Sequence, residues 1–122
     1  MLLGAARHLV QTRNFAGTVH CIFQRAEEGL GGAQRMVSEG LFTQFPCDAV
    51  YGLHNWPGLQ FGTVGVRTGP MMAVMGAYVL LGQAGSADSC MAHNPQYDFD
   101  DRLLPIGASY WVSFVEQELP LE

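Results

Sequence analysis

The sequence contains no lysine and carries little charge of either sign. Only 14% of its 122 residues are charged, and the six basic residues are arginines scattered singly along the chain. Proteins that bind nucleic acids through phosphates need clustered basic side chains. The formal net charge of −5 also has the wrong sign for such a partner. The sequence therefore predicts no nucleic-acid partner.

Long apolar runs and targeting signals are also missing. The longest strongly apolar stretch without a charge, residues 71–82, is too short for a membrane-spanning helix, which needs about 20 residues. The N-terminus lacks the basic segment and the cleavage site of a secretory signal. Cys21, Cys47 and Cys90 are too few and too widely spaced for a disulfide framework. We expect a soluble, cytoplasmic protein with reduced thiols and no membrane partner.

The chain does contain alternating helix and strand patterns. Its apolar content of 48% and its length suffice for one modest core. Helical spacing of apolar residues covers residues 1–13, 33–39 and 106–119. Runs typical of strands cover residues 18–24, 49–54, 62–67 and 76–82. This interleaving predicts one α/β domain, a layered sheet of about four strands with flanking helices.

Acidic residues stand at two places where chemistry is conceivable. Glu27 and Glu28 directly follow the first predicted strand, a position where α/β proteins often place their sites. Adjacent carboxylates repel each other, so the dipeptide alone favours an exposed acidic loop. We interpret the second group, Asp98, Asp100 and Asp101, as a solvated turn before the last helix.

Two histidines add the nitrogen donors that a metal site needs. His54 ends a predicted strand, where a histidine alone is more typical of a structural residue, and His93 lies in a polar loop. Cys90 and His93 also have the spacing of a metal-binding pair, which is weak evidence by itself. Together, Glu28, His54 and His93 suit zinc or another first-row divalent ion. Glu27 is then the candidate base.

Three segments of the chain resemble one family when they are read in order. They are FQRAEEGLGGAQRMVSEGLF, DAVYGLHNWPGLQFGTVGVRTGPMMA and GAYVLLGQAGSADSCMAHNPQYDFDDRLLPIGASYWVSFVEQEL. They are similar to the metal-dependent amidohydrolase and aminoacylase family of metallopeptidases, which includes hippurate hydrolase and the hydrolases of indole-acetyl-amino-acid conjugates. The resemblance implies a metallopeptidase catalytic domain that hydrolyses the amide bond of small N-acyl amino acids such as hippurate.

The resemblance also implies roles for individual residues. The family motif F-Q-P-A-E-E places the general base at Glu27 and a metal ligand at Glu28. The motif G-L-H places a second ligand at His54, and H-N-P-x-Y-D-F-N-D places a third at His93. In the family these residues belong to a two-metal site, for which zinc, manganese or cobalt is the expected cofactor.

The chain departs from the family pattern in several ways. Arg25 replaces a proline and Asp100 replaces an asparagine. The motif C-G-H-D-G-H, which supplies two further ligands, would stand just before residue 1. The lid domain, with its dimer contacts and a substrate-facing histidine, would be inserted near residues 75–76, where we expect a deletion junction. The sequence thus predicts a single partial catalytic domain over residues 1–122, a remnant of the complete one.

These departures set the expected level of activity. With an incomplete two-metal site, we expect hydrolysis by this chain to be absent or very weak. Loss of the lid removes the family's dimer contact and exposes apolar surface, which favours non-specific self-association. The alternative is a non-catalytic protein-binding or vestigial α/β domain.

Overall fold

The computed structural model describes residues 1–27, 29–66, 76–83 and 90–122. Its helices are α1 (Leu2–Thr12), α2 (Gly32–Ser38), α3 (Leu41–Gln44) and α4 (Leu103–Glu118). Its strands are β1 (Val50–Trp56), β2 (Val64–Gly65) and β3 (Gly76–Gly82). Helices therefore flank a small sheet, which confirms the predicted α/β class.

The described strands form one mixed sheet in the order β1-β3-β2. Strand β1 runs parallel to β3, with Val50 opposite Gly76 at one end and Trp56 opposite Gly82 at the other. Strand β2 pairs antiparallel with β3. Within β3, Val79 and Leu81 alternate along the strand on one face and are both buried.

The core side chains come from α1, β3 and α4. These buried apolar side chains are Ala5, Leu9, Val79, Leu81, Leu103 and Val115. Helices α1 and α4 pack against each other, and α4 reaches the sheet through Phe114, whose ring meets Tyr51 of β1 edge to face at 4.5 Å. Within the described ranges, no helix combines the length and apolarity needed to cross a membrane.

The predicted strand over residues 18–24 is wrong. These residues form no regular secondary structure, and the side chain of Phe23 is 58% exposed. Composition gave the expectation, but a strand needs a hydrogen-bonded neighbour, and the described sheet pairs only β1, β2 and β3. The described residues therefore form three strands instead of about four. The strand expected over residues 62–67 is reduced to β2, with Arg67 outside the described residues.

Several boundaries also differ from the expected ones. Helix α4 begins at Leu103 and not at residue 106, so Pro105 lies inside its first turn. An N–H in the first turn has no acceptor within the helix, so proline costs no hydrogen bond there. Strand β1 continues to Trp56, which places His54 inside the strand and not at its end. The expected junction near residues 75–76 includes Met75, outside the described residues, and stays a prediction.

Candidate active site

His54 lies on β1 among aromatic rings. Its ring centroid is 6.2 Å from those of Trp56 and Tyr78. Tyr78 of β3 stands opposite Gly52 of β1. A Cβ at Gly52 would lie only 2.9 Å from the Tyr78 ring. The glycine therefore lets the tyrosine lie across β1 beside His54.

One ring nitrogen of His54 is occupied by the backbone. Its Nδ1 lies 2.5 Å from the carbonyl oxygen of Asn55. A carbonyl oxygen can only accept, so this contact requires the hydrogen on Nδ1 and leaves the lone pair of the neutral ring on Nε2. Histidines that bind metals commonly donate their other N–H to a carbonyl in this way. His54 therefore fits the chemistry of a metal ligand.

His93 belongs to the loop that precedes α4. Its φ of 72° lies in the left-handed region, which is uncommon for a residue other than glycine. The centroid of its ring is 5.8 Å from that of His54. The structure thus brings together the two histidines that the sequence predicts to share a site. Their role as metal ligands stays a prediction.

Glu27 lies next to this histidine pair. Its Oε2 is 3.9 Å from Nδ1 of His93, and the two side chains are 60% and 45% exposed. A tight loop positions Glu27, with Ala26 at a φ of 55°. A Cβ at residue 32 would overlap the carbonyl oxygen of Arg25, so the loop can close onto α2 only with a glycine there. Glu27 does not follow a strand, contrary to the expectation for its position.

The remaining predicted ligand, Glu28, lies outside the described residues. Among the residues that are described, no group of three or more His, Cys, Asp or Glu side chains could hold a metal ion. Two imidazoles and one nearby carboxylate are nonetheless the donor types that zinc accepts. The described part of the site therefore fits a divalent metal in the chemistry of its donor atoms, and the ligand roles stay a prediction.

Sequence reasoning missed a tyrosine at this site. Burial, and secondarily the negative charge of Glu27, raise the pKa of the Tyr78 hydroxyl. The hydroxyl therefore stays protonated at neutral pH and can act as a hydrogen-bond donor. The only signal was a polar aromatic residue within an apolar strand, and its place beside His54 depends on the register between β1 and β3.

Comparison with known proteins identifies the family of the chain. Residues 1–69 match the profile of the peptidase family M20/M25/M40. The chain belongs to the peptidase family M20/M25/M40. The matched range contains Glu27 and His54, and the match confirms the family resemblance seen in the sequence. No solved structure gave a significant match.

Relatives from two bacteria and one plant are similar to much of the chain. A hippurate hydrolase of Campylobacter jejuni is 42% identical over 86 residues, 69% of this chain and 22% of that protein. An N-acetyl-L-cysteine deacetylase of Bacillus subtilis is 37% identical over 94 residues, 76% of this chain and 22% of that protein. An IAA-amino acid hydrolase of Arabidopsis thaliana is 41% identical over 90 residues, 71% of this chain and 20% of that protein. The aligned part of the chain thus spans about a fifth of each relative.

Proposed function

We propose that this chain carries part of the active site of a divalent-metal-dependent hydrolase that cleaves the amide bond of N-acyl amino acids. The observation that carries the proposal is the cluster of His54, His93 and Glu27, with imidazole centroids 5.8 Å apart and a carboxylate 3.9 Å from His93. The names of the relatives support the substrate class, since hippurate and N-acetyl-L-cysteine are both N-acyl amino acids.

Three side chains would hold the metal in this proposal. His54 would bind through Nε2, because its Nδ1 is paired with a backbone carbonyl. His93 would supply the second imidazole and Glu28 a carboxylate oxygen, which completes a ligand set typical of catalytic zinc. A bound zinc, manganese or cobalt ion supplies Lewis acidity, which polarises a substrate carbonyl and makes water a better nucleophile.

Glu27 would act as the base. Its carboxylate is solvent-exposed and adjacent to His93, so water and substrate can reach it. A carboxylate within hydrogen-bond reach of an attacking water can take the proton that the water loses. Glu27 would later return this proton to the leaving amine nitrogen.

We expect the 122-residue chain by itself to be a poor catalyst. Glu28, His54 and His93 suffice for one metal, whereas the family site uses two. The exposed side chains of Glu27 and His93 also leave the site open to water. Water weakens electrostatic stabilisation of a charged transition state. The expected hydrolysis of hippurate is therefore absent or very weak.

Metal binding is tested first, by calorimetric titration of the chain with zinc. We expect His54→Ala and His93→Ala each to weaken zinc binding by about 10-fold or more, since even a lost supporting contact costs a metal site about 10–100-fold. His8→Ala is the matched control, because His8 is an exposed histidine on α1. Equal zinc affinity in all four proteins would contradict the proposed ligands.

Hydrolysis is tested by glycine release from hippurate with added zinc, manganese or cobalt. We expect the unmodified chain and Glu27→Gln to stay at the background rate. Turnover by the unmodified chain that Glu27→Gln abolishes would overturn the expected inactivity and support Glu27 as the base. Turnover that Glu27→Gln leaves unchanged would contradict the role given to Glu27.

A second candidate function, a non-catalytic binding domain, is favoured by the exposed apolar side chains. Leu3, Leu30 and Val66 are 72%, 81% and 72% exposed, and exposed apolar surface favours association. This candidate predicts that the chain self-associates and does not bind zinc. Sedimentation velocity measures the self-association, and the zinc titration measures the binding. The three free cysteines support a reducing, cytoplasmic location in either case.

A further inference from the structure

Three polar side chains at the end of the sheet form a closed triangle of hydrogen bonds, called here the amide–tyrosine triangle. Its members are Asn55, Gln83 and Tyr97, all half-buried. Asn55 Nδ2 donates to the Tyr97 hydroxyl and, over 3.3 Å, to Gln83 Oε1. The Tyr97 hydroxyl donates to the same Gln83 oxygen. Every member therefore contacts the other two.

The triangle joins the two segments that carry the histidines. Asn55 directly follows His54 on β1, and Gln83 directly follows β3. Tyr97 lies in the loop that contains His93, 42 positions after Asn55. The three hydrogen bonds thus connect the loop of one histidine to the strand of the other.

Gln83 fixes the triangle from two further directions. Its backbone N–H donates to the carbonyl oxygen of Trp56 over 3.1 Å, which extends the pairing of β1 and β3. Its side-chain Nε2 donates to the carbonyl oxygen of Asp98 over 2.7 Å. The loop is therefore attached to the end of the sheet at two successive residues, Tyr97 and Asp98.

The loop between His93 and Tyr97 is compact. The backbone N–H of Asn94 donates to Met91 over 3.2 Å, and that of Tyr97 donates to Asn94 over 2.9 Å. His93 has a left-handed backbone within these turns, with a φ of 72°. Such a conformation persists when the surrounding structure enforces it. Two short hydrogen-bonded turns therefore connect Tyr97 to the segment that contains His93.

We propose that the amide–tyrosine triangle positions His93 against His54, with Asn55, Gln83 and Tyr97 as positioning residues. The arrangement itself is independent of the proposed function. Its purpose, to hold two metal ligands near each other, rests on that function. The Tyr97 hydroxyl is the most important group of the triangle, because it makes two of the three hydrogen bonds. Without it, a single 3.3 Å bond joins Asn55 to Gln83, and the loop keeps the Gln83 hydrogen bond to the Asp98 carbonyl but loses its attachment at Tyr97.

The test compares Tyr97→Phe with Tyr110→Phe. Each variant removes one hydroxyl from a half-buried tyrosine, and Tyr110 lies on α4 outside the triangle. Circular dichroism reports whether each variant folds. The nuclear Overhauser effect between the ring protons of His54 and His93, measured without metal, reports their proximity. Zinc titration reports the consequence for metal binding.

We expect Tyr97→Phe to fold, to lose the ring-to-ring Overhauser effect, and to bind zinc about 10-fold more weakly. Tyr110→Phe should keep both properties. An unchanged Overhauser effect in Tyr97→Phe, or its absence in the unmodified chain, would overturn the proposal. If the unmodified chain binds no zinc but Tyr97→Phe still loses the effect, the positioning role stands and the proposed function fails.

A second variant covers the case in which Tyr97→Phe does not fold. Gln83→Leu removes the acceptor shared by Asn55 and Tyr97 and is judged by the same two readouts. If it folds and loses the Overhauser effect, the positioning role is supported. If neither variant folds, the triangle supports the whole fold and has no specific role in placing His93, which overturns the proposal.

Discussion

The two parts of the candidate site lie in regions of very different packing. The packed region, consisting of α1, the sheet, the loop after residue 90 and α4, supplies every buried apolar side chain of the core. In the exposed segment, defined as residues 14–49 without the undescribed Glu28, no described residue is buried. His54 and His93 belong to the packed region and Glu27 to the exposed segment. The candidate site thus spans a boundary between the two.

Side-chain hydrogen bonds in the two regions differ in the sequence distance between the residues that they join. In the exposed segment, side chains bond to near neighbours in sequence, as Arg35 does to Glu39 at 2.7 Å and Gln44 does to the Glu39 carbonyl at 3.1 Å. In the packed region, Tyr97 bonds to a residue 42 positions away. Local turns therefore place Glu27, whereas tertiary contacts place the histidines. The Glu27–His93 pair at 3.9 Å is the contact at which the two halves of the site meet.

Core truncation gives the largest expected effect and tests this comparison directly. Leu81 is completely buried in β3, whereas Leu30 in the exposed segment is 81% exposed. Leu81→Ala should lower the free energy of unfolding by about 2–5 kcal/mol, because it removes buried methyl groups and leaves a cavity. Leu30→Ala should change it by less than about 0.5 kcal/mol. Urea denaturation followed by circular dichroism measures both, and similar losses would show that the exposed segment is packed.

A pair of aromatic contacts gives an intermediate effect. The rings of Tyr51 and Phe114 meet edge to face at 4.5 Å in the packed region, and those of His20 and Phe45 meet at 5.5 Å in the exposed segment. A double-mutant cycle on Tyr51 and Phe114 should yield a coupling free energy of about 0.5–1.5 kcal/mol. The cycle on His20 and Phe45 should yield less, because Phe45 is 48% exposed. A stronger coupling in the exposed pair would contradict the comparison.

The same distinction explains which parts of the fold the sequence could predict. Residues 18–24 and 76–82 have similar strand-like composition, yet only the second run forms a strand. Residues 76–82 pair with β1 along their whole length, whereas the sheet formed by the described residues does not include residues 18–24. The local composition of a segment does not show whether a distant segment will pair with it. Helices α1 and α4 were predictable because helical bonds and amphipathic spacing are local.

The candidate site shows the same limit. Glu27, His54 and His93 could be selected because each stands in a short motif, and short motifs are readable from sequence alone. Tyr78 and the amide–tyrosine triangle could not, since their importance depends on contacts across the sheet. The position of His54 inside β1 was missed for a related reason, because strand ends depend on how far the ladder extends.

The smallest expected effect concerns an ion pair at the start of α4. The Arg102 guanidinium donates to both carboxylate oxygens of Asp100, at 2.9 Å to Oδ1 and 2.5 Å to Oδ2. This hydrogen bonding lowers the pKa of Asp100 below its ordinary value of 3.8. The unfolded chain then binds more protons than the folded chain in acid, so the stabilisation is complete above pH 3.8. It is lost as the pH falls through the lower pKa of the folded state.

Asp100→Asn, which restores the residue of the family motif, should remove this pH-dependent term. The unmodified chain should have the higher urea midpoint at about pH 6, and the difference should shrink towards about pH 3 as Asp100 becomes protonated. Asp101→Asn is the matched control, because it removes the same charge one residue away and leaves the Asp100–Arg102 pair in place. The difference in urea midpoint between Asp100→Asn and the unmodified chain could instead stay constant with pH. The charge of the Asp100 carboxylate would then make no contribution to stability, which would contradict the prediction. Since the pair lies on the surface of the packed region, where ion pairs contribute little, its effect should remain well below that of Leu81→Ala.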